Sequence, residues 1–160
     1  MMNKVIIYIF LMFPLLTQAK TFIEKPIASF QPLNTFATVE DFEQPINEYV
    51  KYCLDNSFGG SLSVRCYVGE ALWDRELNYY YRLLYRQLDS EGKALLKASQ
   101  RAWLDARDKT MAFNYQLISQ RYPQSGTMYV AIRANVANGI IMPIVKQRAL
   151  LLKTWLEDVG

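Results

Sequence analysis

Apolar residues recur at spacings of three and four through four stretches of this chain, and each stretch stops where Gly, Pro, Asn and Ser gather. The first covers about residues 39–54, with Phe42, Ile46, Tyr49, Val50 and Cys53 on one face. Thr38 followed by Asp41 reads as its N-terminal cap, and Pro45 predicts a kink or a delayed start. Residues 56–60, Asn-Ser-Phe-Gly-Gly, break the pattern. A second helix is expected from Ser61 or Ser63 to Leu88. Tyr67, Ala71, Asp74, Asn78, Tyr81, Tyr85 and Leu88 form one stripe of it, and Val68, Leu72, Leu77 and Leu84 lie alongside. Asp89 and Ser90 interrupt this helix and cap a third over 91–121, through Leu95, Leu96, Ser99, Gln100, Trp103, Arg107, Met111, Asn114 and Leu117. Residues 122–126 end it. A fourth helix spans 127–158, where Asn138, Gly139 and Pro143 predict a kink or break. Nothing reads as a sheet. The pattern is all-α: a small bundle of long antiparallel helices.

The first 19 residues do not belong to this pattern. Lys4, an apolar run over 5–16 and the ending Thr17-Gln18-Ala19 are the marks of a secretory signal peptide cleaved after Ala19. The run is about a dozen residues, short of the ~20 that span a bilayer. The expected product is therefore periplasmic or secreted, soluble, with no membrane span after cleavage. Residues 20–37, with Pro26 and Pro32, read as an extended lead-in to a single helical domain over 38–160. Removing Lys4 leaves a net charge of +2, too little and too dispersed to bind nucleic acid. The charge is uneven: residues 20–63 hold three basic and six acidic groups, and residues from Met111 onward hold five and two. Cys53 and Cys66 are the only cysteines, and in an oxidising compartment they are expected to form one disulfide, contributing roughly 3 kcal/mol. A zinc pair is the poorer alternative, since the chain has no His and two thiolates do not complete a site. No metal or other cofactor is expected.

Polar residues sit on stripes that should face inward. Asp74, Asn78, Gln100 and Arg107 would form either a functional site or an Asp–Arg pair with amide partners that fixes helix register, and the second reading is the simpler. An enzyme is not expected. The commonest general base is missing, both thiols are expected to be oxidised, and the carboxylates Glu40, Asp41, Glu43, Asp105 and Asp108 flank no obvious cleft. Tyr79, Tyr80 and Tyr81 span about 200° of a helix and cannot all be buried. They make either a tyrosine-rich outer surface or a binding face. Residues 58–61 and 122–129 are candidate contact loops, with Phe58, Tyr122 and Tyr129 as the candidate partner contacts.

The spacing C-x7-D-x2-L-N-x2-Y over Cys66, Asp74, Leu77, Asn78 and Tyr81, followed by Q-R-A-W-x3-R-D over Gln100, Arg101, Ala102, Trp103, Arg107 and Asp108, resembles the LprI-type lysozyme inhibitor family of small exported bacterial proteins. The resemblance runs from Cys66 to about Trp155. Gly126, Thr127 and Arg148 agree more loosely. Two further family cysteines are replaced here by Met111 and a residue near Ile140, as expected if core packing stands in for a second disulfide. The resemblance implies an exported protein that binds and blocks lysozyme, a peptidoglycan muramidase. Two other readings compete: an immunity protein neutralising a cell-wall-directed toxin, and, ranked last, a carboxylate-based glycan enzyme.

Overall fold

The structure is a computed structural model and describes residues 23–57 and 60–159. The expected signal peptide and Phe58 lie outside the described residues. Four α-helices follow one another, α1 over Val39–Asn56, α2 over Gly69–Gln87, α3 over Ser90–Arg121 and α4 over Thr127–Val159, with no strand among the described residues.

Local chemistry starts α1 and α3 where expected. Thr38 accepts from the Asp41 amide at 3.0 Å while the Asp41 carboxylate accepts from the Thr38 amide at 3.2 Å, a complete capping box. Asp89 caps α3 by accepting from the Gly92 amide at 2.8 Å. Both internal prolines are tolerated, and α4 is continuous across Asn138, Gly139 and Pro143, so of the expected kink or break no break occurs. The carbonyls that Pro45 and Pro143 leave without a helical donor belong to Asp41 and Gly139, both exposed to water.

Two further corrections concern the chain outside the helices. The second helix does not begin at Ser61 or Ser63. Residues Gly60–Cys66 form a 3₁₀ segment, and α2 starts only at Gly69. The lead-in is also more than an extended arm. Single 3₁₀ turns at Ile27–Ser29 and Leu33–Thr35 each follow a proline, and the Ser29 and Thr35 hydroxyls donate back to the Pro26 and Pro32 carbonyls. These turns place Phe30 and Leu33 in the core.

The core lies between α2 and α4, which pack along each other more extensively than any other pair. Leu72, Trp73, Leu77, Tyr80 and Leu84 of α2 face Ile141, Val145, Ala149 and Leu152 of α4, with Phe42 and Ile46 of α1 closing one side. Gly69 lies against α4, where an added Cβ would stand 2.6 Å from the Met142 sulfur and displace that side chain. Helix α3, although 32 residues long, buries only Leu96, Asn114 and Ile118.

Candidate partner-binding site

The two candidate loops meet at one end of the molecule. The Cys53–Cys66 disulfide ties the last turns of α1 to the end of the 3₁₀ segment, with a Cα–Cα distance of 5.5 Å. That segment packs on α4. Gly60 adopts φ +64°, and a Cβ added there would lie 3.1 Å from the Thr127 side chain. Glycine is needed on both counts: the left-handed backbone penalises a side chain, and the first residue of α4 occupies the space one would fill.

The α3–α4 turn is pinned rather than loose. Arg133 reaches back from α4 and donates to the Tyr122 and Gln124 carbonyls at 3.0 and 2.9 Å. Gly126, at φ +113°, turns the chain into α4, and its carbonyl accepts the Val130 amide at 3.1 Å. Arg121 lies over the Tyr122 ring, 5.5 Å from its centre. Large apolar side chains are exposed here and on the adjoining helices. Tyr52, Leu62, Phe113, Tyr115 and Met128 are each at least half exposed. A groove of about 310 Å³ runs between α3 and α4, lined by Met111, Tyr115, Ile118, Val130, Ala134 and Ile141 among others. Met111 and Ile141 line this groove, whereas Ile140, the position expected to stand in for the second cysteine, is exposed.

Of the named contact residues, Tyr122 and Tyr129 are half-buried at this end. The tyrosine run proves to be mainly packing. Tyr80 is buried, Tyr79 accepts from Asn34 at 3.2 Å, and Tyr81 stacks on Tyr85 at 6.1 Å.

The four polar residues expected to form one cluster do not. Asn78 donates to the Asp74 carboxylate at 2.9 Å within α2, but Arg107 pairs with Asp108 at 2.8 Å and stacks over Trp103, and Gln100 accepts from Arg148 at 3.0 Å. The expected Asp74–Arg107 pair is therefore corrected. The reason is the partner of α2, which is α4 rather than the adjacent α3. The stripe carrying Asp74 and Asn78 faces away from the core, and the neighbouring stripe of Leu72, Leu77 and Leu84 faces into it. Of the remaining motif residues, Leu77 is buried, Tyr81 and Trp103 are half-buried, and Asp108 is exposed.

The buried polar groups are others. Glu76, 1% exposed, holds Arg75 at 2.6 Å, and Arg75 also donates to the Ile27, Phe30 and Gln31 carbonyls, clamping the lead-in to α2. Arg148 is buried between the rings of Trp103 and Trp155, donates to Gln100 and Ser99, and has no carboxylate partner among the described residues. Burial pushes its pKa below the usual arginine range. Glu43 bridges Lys146 at 2.7 Å and accepts from the Trp73 indole at 3.3 Å. Asp41 is in a cap, and Asp105 and Asp108 pair with Lys109 and Arg107. No cluster of three or more metal-ligating side chains occurs among the described residues.

Helix α4 is long and apolar enough to cross a membrane by length and composition alone. In this fold its buried residues are Ile141, Val145, Arg148, Ala149 and Leu152, and only 11% of its most apolar stretch is buried. A family model described as "Lysozyme inhibitor LprI" matches residues 64–149, more than half of the chain. No curated protein and no solved structure matches it.

Proposed function

Because the chain belongs to the LprI lysozyme inhibitor family, we propose that it is exported and inhibits a lysozyme-type muramidase by placing its turn end in the enzyme's cleft, doing no chemistry itself. The observation that carries this reading is the close approach of Gly60 and Thr127, which brings two loops far apart in sequence together at one end, with Leu62 and Met128 exposed beside it. A projecting turn can enter a concave cleft, whereas the flank of a helix cannot follow one. Pinning by Arg133 and the disulfide reduces the entropy lost on binding. Helix α1 carries five acids, Glu40, Asp41, Glu43, Glu48 and Asp55, against Lys51 alone, so a basic lysozyme meets attraction on that flank despite the net positive chain.

The test is inhibition of chicken-, goose- and invertebrate-type lysozymes by the mature protein in molar excess. At least one should lose activity, and replacing Tyr122 and Tyr129 together by Ala should weaken inhibition at least tenfold with thermal unfolding nearly unchanged. Full activity of all three enzymes would reject the inhibitor reading and move the immunity reading ahead of it.

A further inference from the structure

Resting on the inhibitor reading, we infer that the Arg121 guanidinium, presented on the Tyr122 ring, is the group that engages the muramidase's catalytic carboxylates. Glycoside hydrolysis of this kind needs two carboxyl groups flanking the scissile bond. The floor of the target cleft is thus anionic. A blocking element must bring no carboxylates of its own and gains most from a cation aimed at that pair.

The α3–α4 turn meets both conditions, since the acids elsewhere around this end, Asp55, Glu24 and Asp105, are already paired with Lys51, Arg65 and Lys109. No Asp or Glu occurs anywhere in residues 109–156, while Lys109, Arg121, Arg133, Lys146, Arg148 and Lys153 all fall there. The cations around this end are largely engaged. Lys109 is held by Asp105 at 2.8 Å, Arg133 by two turn carbonyls, Arg65 by Glu24 at 2.9 Å and Lys51 by Asp55 at 2.9 Å. Arg121 is exposed on the last turn of α3 and has no carboxylate partner among the described residues. The Tyr122 ring, 5.5 Å away, supports the guanidinium from one side without using its N–H donors. The planar guanidinium fork matches a carboxylate bidentately, which a lysine ammonium cannot do. The platform is itself held, since the carbonyl of Tyr122 accepts from Arg133.

An arginine in the last turn of a helix also has a structural use against the helix dipole, so the test must read contact rather than stability. Binding of wild type, Arg121→Ala and Arg121→Lys would be measured by calorimetry against a muramidase that the wild type inhibits. The same three would then be measured against that enzyme with its catalytic acid changed Glu→Gln, or its second carboxylate Asp→Asn. Arg121→Ala should bind the native enzyme about 10- to 100-fold more weakly, with Arg121→Lys between, and the loss should shrink to within about twofold on the neutralised enzymes. Equal binding of wild type and Arg121→Ala, or a loss of the same size on native and neutralised enzymes, overturns the assignment of Arg121 and leaves the inhibitor reading standing. If the wild type inhibits no muramidase, the reading itself falls and this assignment with it.

Discussion

Tyr80 is 3% exposed, and its hydroxyl has no hydrogen-bond partner among the described residues. Desolvation, reinforced by the charges of Glu76, Tyr79 and Glu157, pushes its pKa from 10 up to about 12. The folded state therefore holds the phenolic proton more tightly than the unfolded chain. The contribution is complete below pH 10 and is lost as pH rises from 10 to 12, amounting to about 3 kcal/mol. Tyr80→Phe should remove that alkaline loss in denaturant titrations and raise stability at pH 7 by about 1 kcal/mol, since it deletes an unsatisfied buried hydroxyl. Arg75 should behave in the opposite way. Arg75→Met leaves the buried Glu76 carboxylate without its cation and should cost about 3–5 kcal/mol, whereas Arg75→Met with Glu76→Leu should cost clearly less than the two single changes added. Equilibrium urea unfolding of the four proteins checks this. Arg107 and Asp108, by contrast, form a surface pair of the kind worth at most about 1 kcal/mol.

At the scale of elements, the sequence was most readable where a signal is local. The Thr38–Asp41 box, the Asp89 cap and the Gly- and Pro-rich turns each act over a few residues and appear where expected. The phase of α2 was not readable in this way. Apolar residues lie on two adjacent stripes of that helix, and periodicity cannot choose between them without knowing that α4 is the partner. The lead-in hid its role because the Ile27, Phe30 and Gln31 carbonyls are held by Arg75, more than 40 residues away. The loop end was half legible: both loops announce themselves by composition, but the contact of Gly60 with Thr127 leaves no local trace. That contact makes Gly60→Ala informative. It should cost about 1–2 kcal/mol in thermal unfolding and weaken lysozyme inhibition more than Tyr52→Ala does, because it separates the loops rather than trimming their rim.

On the scale of the whole molecule, the helices are not equally committed to the fold. Packing of α2 on α4 spans the connection through α3, so α3 leaves the core at one end, runs about 48 Å and returns the chain as α4. Few of its side chains are buried, and its central surface is charged and wet. Such a helix can detach while the rest stays native, giving a partly open state well below global unfolding in free energy. Amide exchange under native conditions should therefore run in two tiers. The α3 amides should exchange through an opening of low denaturant dependence, and those of α2 and α4 around Leu77 and Ala149 only with complete unfolding. Uniform protection across all four helices would contradict this. In limited proteolysis the molecule then has a defined point of weakness: cleavage should begin within α3, and anything that braces the α3–α4 turn, a bound enzyme included, should slow it.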